Sequence, residues 1–249
     1  MQYKNWIKNR VVIYILFCII ISSIIAIAIN QKTLISCISI RYSNFKKIGE
    51  CLYFSPQISK KLKDSLIILV HDAERRNEKF WSTEPLDYTI IFCSSKKELE
   101  KYTGSKDVES LSYLTPLGTF IVLGNKGYNV DVISHEMSHS ILLQLVGFKT
   151  MRKIPTWFNE GIALQVDYRY IVTDSTIETN YHTDFDYLSS ISNFKDFHDN
   201  DWNKTRIHYI KSRYEIKQWL TNNKDKLALF LNGVRDDEFI KHYKESNDN

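Results

Sequence analysis

The pentapeptide His135-Glu136-Met137-Ser138-His139 is the feature that most constrains how this chain can fold. Residues four apart share one face of a helix, so His135 and His139 would point their imidazoles at one spot with Glu136 beside them. This is the H-E-x-x-H metal signature. A catalytic zinc site needs three protein ligands and an open position for water. The pentapeptide therefore predicts a metal-site helix and a third ligand elsewhere in the chain.

The residues around the pentapeptide predict that helix over 130–146. Apolar side chains such as Ile133 and Ile141 recur at helical spacing, and Asn129 or Asp131 is a suitable N-cap. In a core helix without a metal, the two histidines and the glutamate would be unpaired polar groups that cost roughly a few kcal/mol. The pattern favours a metal site over an accidental motif.

The candidate third ligand is Glu160, in the segment WFNEG at residues 157–161. Gly147 indicates the end of the metal-site helix, and Pro155 is well placed to open a second helix. Two consecutive helices packed against each other would bring Glu160 to the two histidines.

The combination of HExxH with a later W-x-N-E-G-x-A resembles the gluzincin metallopeptidases, especially small bacterial aminopeptidase-like and thermolysin-like peptidase domains. The resemblance covers residues 115–245 and is strongest over 132–166. It implies an α+β fold: a zincin-type domain with a small mixed sheet and a metal-site helix, followed by a mainly helical lower half. It also implies that the strand predicted at 119–123 forms the edge of the sheet, where an extended peptide can pair with it.

The resemblance further implies one zinc ion per chain, held by His135, His139 and Glu160. Such an ion lowers the pKa of its bound water and polarises a substrate carbonyl. Glu136 would be the general base and would pass the proton to the leaving amine. These roles predict hydrolysis of a peptide or protein substrate.

A second catalytic residue is implied by the segment Tyr209-Ile210-Lys211-Ser212, which resembles the Y-x-K-G element that holds an oxyanion-binding tyrosine in aminopeptidase-like members. Ser212 stands where glycine is usual. Tyr209 is the candidate and Tyr214 the fallback. The alternative is a packing role on an amphipathic helix, since the chain contains fifteen tyrosines.

Two departures from the family pattern affect the function. Gluzincins usually have an acidic residue one turn after the glutamate ligand, and Leu164 stands there. Asn159 and Asp167, the latter placed two turns after Glu160 on the same helical face, are the candidates for orienting the metal histidines, and a surface position is the alternative for each. No G-x-M-E-N-like segment for binding a free amino terminus is present, which favours an endopeptidase.

The amino-terminal region predicts a membrane anchor. Residues 11–29 are nineteen uncharged, mainly apolar residues, enough to span a bilayer as a helix. Lys4, Lys8 and Arg10 precede them, which favours a cytoplasmic amino terminus and a periplasmic or extracellular domain. A cleaved signal peptide is the alternative, because residues 26–28 have the small-x-small form of a cleavage site.

The predicted organisation is a cytoplasmic stub and transmembrane signal anchor at 1–30, a juxtamembrane linker with a short strand or loop at 31–54, the peptidase domain at 55–245 and a polar tail at 246–249. The net charge of +4 is too diffuse to indicate nucleic acid. Outside the apolar segment, the cysteines are either all reduced or include one disulfide, such as Cys37 to Cys51.

Two functions are compatible with these patterns. The first is a membrane-anchored zinc metallopeptidase, which the intact Glu136 favours. The second is a catalytically degenerate gluzincin-like domain that acts as a binding or interaction module, which the missing acid at Leu164 favours.

Overall fold

The computed structural model describes residue 17 and residues 31–83, 87–169, 185–236 and 239–247. In these residues the fold is α+β, with a five-stranded mixed sheet followed by helices, in agreement with the predicted fold class. The predicted membrane segment at 11–29 lies, apart from Phe17, outside the described residues. None of the helices in the described ranges combines the length and apolar composition needed to cross a membrane.

The sheet has the strand order β1-β2-β3-β5-β4. Strands β2, β3 and β5 are parallel, whereas β1 and β4 run antiparallel to their neighbours. Residues 31–54, expected to form a short strand or loop, instead supply a helix and two of the strands. All three residues of the second of these strands, Leu52, Tyr53 and Phe54, are buried. The strands are β1 (Lys46–Ile48), β2 (Leu52–Phe54), β3 (Tyr88–Phe92), β4 (Ser110–Thr115) and β5 (Gly118–Leu123).

Strand β4 was not predicted from the sequence, and it changes the edge of the sheet. It forms a hairpin with β5, in which Thr115 is paired with Gly118, and Gly118 has a φ of 104° that favours glycine. Strand β5 therefore lies between β3 and β4, so the prediction that residues 119–123 form the edge was wrong. In the described part of the chain, β4 has β5 as its one strand neighbour.

The metal-site helix and the helix expected to open at Pro155 are both present. The metal-site helix has its predicted bounds and is capped by Asn129, whose side chain accepts a hydrogen bond from the backbone N–H of Val132. The helices are α1 (Lys32–Ile38), α2 (Lys60–Trp81), α3 (Lys96–Thr103), α4 (Val130–Val146), α5 (Phe148–Met151), α6 (Thr156–Ala163), α7 (Phe185–Ser190), α8 (Phe194–Phe197), α9 (Trp202–Asn223), α10 (Leu227–Asp236) and α11 (Phe239–Asn247).

The sheet is covered by helices on both faces. Side chains alternate between the faces of a strand, so Ile90 packs with the core of α2 and α4 while Ile91 packs with that of α1 and α3. The metal-site helix thus lies directly on the sheet. Cys37 and Cys93 are buried on the opposite face and are free, as is Cys51, so the reduced alternative describes this structure.

A third core joins the carboxyl-terminal half of α4 to the later helices. Aromatic rings dominate it, and Phe158 of α6 contacts rings from α9, α10 and α11 at centroid distances of 4.8–6.0 Å. Such rings bury large apolar areas and pack edge to face. This core fixes α6, and with it the segment that contains Glu160, against the metal-site helix.

Candidate metal centre

The metal-site helix α4 is buried around most of its circumference because the sheet and α2 cover one side and α6 the other. His135, Glu136 and His139 are each less than a tenth exposed. Polar side chains at such positions require partners, because burial removes their water. The partners of these three residues define the site.

His135, His139 and Glu160 converge on one point. His135 Nε2 lies 3.1 Å from His139 Nε2 and 3.2 Å from Glu160 Oε2, and His139 Nε2 lies 3.8 Å from Glu160 Oε1. The three ligand atoms all lie within 4.8 Å of one another. Two imidazole nitrogens and a carboxylate oxygen are the donor set of a His₂Glu zinc site. The group could hold one metal ion, as the sequence pattern predicted.

One glycine lets helix α6 approach α9 closely. A Cβ on Gly161 would lie 2.6 Å from the backbone oxygen of Ser212 and from a side-chain carbon of Ile216. Pro155 is the N-cap residue of α6, as predicted. The glycine that follows Glu160 is therefore a packing requirement, and it sets the position of the ligand.

The charges of the triad support one another in the metal-free protein. Burial opposes the charged form of His135, but contacts with Asp167 and Glu160 outweigh this cost and raise its pKa to about 10. Burial likewise opposes the ionised form of Glu160, and the charges of His139 and His135 nevertheless lower its pKa to about 2. At neutral pH, the metal-free protein therefore carries a proton on His135 that a metal would displace, opposite an ionised Glu160.

Both candidate orienting residues contact the histidines from behind. Asn159 Oδ1 lies 2.8 Å from His139 Nδ1, and Asp167 Oδ2 lies 3.3 Å from His135 Nδ1. The second contact is an ion-pair distance without the alignment of a hydrogen bond. Metal-binding histidines are usually held by such groups through the ring nitrogen that does not bind the metal.

The route by which Asp167 reaches the site differs from the prediction. It was placed on the same helical face as Glu160, but α6 ends at Ala163, a turn covers residues 164–166, and Asp167 comes directly after that turn. Arg213 fixes this turn by donating to the backbone oxygens of Leu164 and Asp167. The fully buried carboxylate therefore reaches His135 from the segment after the helix and not from the helix itself.

Arg169 is a site residue that sequence reasoning missed. It donates to both oxygens of Asp167 and reaches Glu109, just before β4, at 2.8 Å. Burial opposes ionisation of Asp167, but the contacts with His135 and Arg169 outweigh it and hold the pKa of this carboxyl well below its usual range. The spacing Asp-x-Arg was the available signal for this pair.

Glu136 is held by the edge strand of the sheet. Ser110 Oγ donates to Glu136 Oε1 at 2.6 Å, and Ser112 Oγ donates to Oε2. The sequence analysis missed both serines together with β4. The alternation of Ser110 and Ser112, followed by the Pro116–Gly118 turn, was the signal of a hairpin that could have found them.

Tyr209 lies on α9, where its hydroxyl is 3.1 Å from His198 Nε2. His198 is partly buried, and after the charges of His139 and His135 its charge makes a smaller contribution to lowering the pKa of Glu160. The oxyanion role of Tyr209 stays a prediction, and the fallback Tyr214 is bonded to Gln218 in the next turn.

A cavity of about 530 Å³ lies beside Asn159, the residue that contacts His139. Leu114 of the edge strand forms another wall. Its lining is mainly apolar, with Arg152 and Lys153 as its charged residues in the described part of the chain.

The donor chemistry is consistent with a zincin-like site. No protein-family model matches this chain, and no curated protein matches it. The centre is therefore characterised by its own geometry. It has a buried His-His-Glu group, Asn159 and Asp167 behind the histidines, and the carboxylate of Glu136 next to His135 in the chain.

Proposed function

We propose that this chain is a zinc-dependent metallopeptidase of the gluzincin type. The convergence of His135, His139 and Glu160, with Glu136 one residue from a ligand, is the observation that supports the proposal most strongly. A zinc ion bound there would acidify a water molecule and polarise a carbonyl. A metal-binding triad alone is compatible with many functions. A hydrolase also needs a general base near the metal, and the carboxylate of Glu136 can serve as one.

The chain's own residues divide the remaining work. Glu136 accepts a proton from the attacking water and returns it to the leaving amine. Tyr209, oriented by His198, donates a hydrogen bond to the oxyanion. Asn159 and Asp167 hold the imidazoles in position.

The substrate in this proposal is an extended peptide. Among the described strands, β4 has one edge that pairs with no other strand, and the peptide pairs with β4 along that edge. The cavity beside Asn159 receives one side chain of the peptide. Arg152 and Lys153 disfavour a cationic side chain there. The absence of a recognisable amino-terminus-binding segment favours internal cleavage.

The membrane anchor at residues 11–29 and a domain outside the cytoplasm complete the proposal, on the sequence pattern alone. Carbonate extraction of membranes from expressing cells tests the anchor, and protease treatment of intact cells or spheroplasts from the same culture tests the position of the domain. Retention in the membrane with a protease-accessible domain is the expected result. Release by carbonate contradicts the anchor.

The first experiment is the zinc content of the purified full chain and of Glu160→Ala. We expect about one zinc per chain in the parent and little in the variant, with both folded by circular dichroism. Peptide-library cleavage by the parent then identifies the bond cut, with Glu136→Gln as a control that keeps zinc and loses cleavage.

The two candidate functions separate in this experiment. Zinc without cleavage, in a parent offered a diverse peptide library, contradicts the peptidase and favours the binding module. A folded parent that takes up no zinc contradicts the metal site itself.

A further inference from the structure

The carboxylate of Glu136 is engaged at both oxygens by one strand. Ser110 and Ser112 lie two residues apart on β4 and therefore on the same face of the strand. One hydroxyl donates to Oε1 and the other to Oε2. This fork comes from the edge of the sheet, whereas the metal triad comes from α4 and α6.

An ionised glutamate next to a metal ligand is itself a good zinc ligand, since carboxylate oxygens belong to the ordinary donor set of zinc. Glu136 follows His135 directly and is buried with it. A catalytic centre requires a position that no protein group occupies. Something must therefore keep this carboxylate from binding the metal.

We propose that Ser110 and Ser112 are positioning residues that hold Glu136 against β4 and so keep one coordination position of the metal open. The inference rests on the metal-binding part of the proposed function and is independent of whether the substrate is a peptide. It assigns to the edge strand a role in the chemistry beside its role in receiving substrate.

The competing explanation is that the two hydroxyls merely fasten the strand to the helix. Fastening predicts a loss of stability on their removal and no change in metal coordination. Positioning predicts a change in coordination that depends on Glu136. The two explanations therefore differ in a property that can be observed without any turnover.

The test uses Co²⁺ and Zn²⁺ with the full chain and the double variant Ser110→Ala/Ser112→Ala. Freed from β4, Glu136 enters the open position as a fourth protein ligand, so the visible absorption of bound Co²⁺ changes and zinc binds more tightly. Adding Glu136→Gln to the double variant removes the new ligand and restores the parent spectrum. Hydrolysis, if the parent shows it, falls in kcat with KM unchanged.

Two controls make the result specific. Ser110→Thr/Ser112→Thr keeps both hydroxyls and is expected to behave as the parent. Tyr113→Phe removes a hydroxyl from the opposite face of β4, where it donates to the backbone oxygen of Tyr102, and leaves the spectrum unchanged. The single serine variants give intermediate shifts and replace the double variant should it fold poorly.

The inference is overturned if the double variant keeps the parent's spectrum and zinc affinity, or if the threonine variant resembles the alanine one. A parent that binds neither ion overturns the proposed metal site together with this inference. A parent that binds metal and cleaves no peptide overturns only the peptidase, and the spectroscopic test stands.

Discussion

The two histidines of the metal centre are supported by different chemical groups. Behind His135 lies the buried carboxylate of Asp167, which is paired with Arg169. Behind His139 lies the neutral amide of Asn159. A carboxylate raises the basicity of a ligand and attracts its positive form, whereas an amide mainly fixes the orientation of the ring. The centre is therefore asymmetric, with electrostatic support on the His135 side and geometric support on the His139 side.

The largest expected difference between the sides is in zinc affinity. Asp167→Ala is expected to weaken zinc binding about 100-fold and Asn159→Ala about tenfold, the two ends of the usual range for groups behind metal ligands. Competition with a chromogenic chelator measures both. Asp64→Ala, which removes an exposed carboxylate from α2, is the matched control and should leave the affinity unchanged. Equal losses of zinc affinity in the two variants would show that the carboxylate and the amide support the histidines equally, which contradicts the proposed asymmetry.

The His139 side can be disturbed through the position of α6. Gly161→Ala forces a methyl group against the backbone of Ser212, so we expect a loss of about 1–3 kcal/mol in the free energy of unfolding. Weaker zinc binding should accompany it, because Asn159 and Glu160 precede the glycine. Gly233→Ala is the matched control: it also lies in a helix, its new Cβ meets His242 at an ordinary 3.5 Å, and it should be neutral or stabilising by up to about 1 kcal/mol. Similar destabilisation by both substitutions would exclude close approach as the cause.

The His135 side can be tested by pH in the metal-free protein. Its folded-state pKa of about 10 exceeds the ordinary 6.5, so protonated His135 contributes stability that is complete below about pH 6.5 and lost as the pH rises through 10. In that window the free energy of unfolding should fall by up to about 1.4 kcal/mol per pH unit. Urea unfolding in the presence of a chelator, at pH 7 and pH 9, measures the slope.

Asp167→Asn separates this cause from other groups that titrate in the same window. Without the carboxylate, the pKa of His135 should fall towards its ordinary value, and the slope between pH 7 and pH 9 should flatten. A variant with the parent's slope would place the source of the pH dependence elsewhere in the protein.

The smallest effect on zinc affinity is expected for Arg169, which contacts Asp167 and not a histidine. Arg169→Ala removes the cation paired with Asp167 but leaves the carboxylate in place, so zinc affinity should change by less than about tenfold. Arg75→Ala is the control, because it breaks an exposed ion pair on α2 with no link to the centre. A loss as large as that of Asp167→Ala would mean that Arg169, and not the histidine contact alone, positions the carboxylate.

Several elements could be predicted from local pattern. The bounds and cap of α4, the helix opened by Pro155 and the pairing of His135, His139 and Glu160 follow from helical spacing and capping chemistry, which depend on neighbours in the chain. The general base and the candidates for the groups behind the histidines came from the resemblance to the gluzincins. Local pattern also predicted the strand at residues 119–123, which is β5 and has a continuous apolar run.

The edge strand was missed because it lacks the continuous apolar run by which β5 was predicted, and its alternating pattern was not recognised. Ser110 and Ser112 face the metal helix while Tyr113 faces α3, so no apolar run marks β4. Strand β4 lies beside β5 and is therefore the outermost strand, where the sequence analysis had expected β5. Only pairing between strands decides which one is outermost.

By itself the sequence determined which side chains could bind a metal and the helices that present two of them, since helical periodicity makes residues four apart neighbours. The tertiary structure alone decided how those side chains are held. Asp167 reaches His135 only because Arg213 closes the turn after α6, and Glu136 meets two hydroxyls only because a hairpin lies against α4. Contacts between distant segments depend on how all the elements pack together, and no spacing along the chain encodes them.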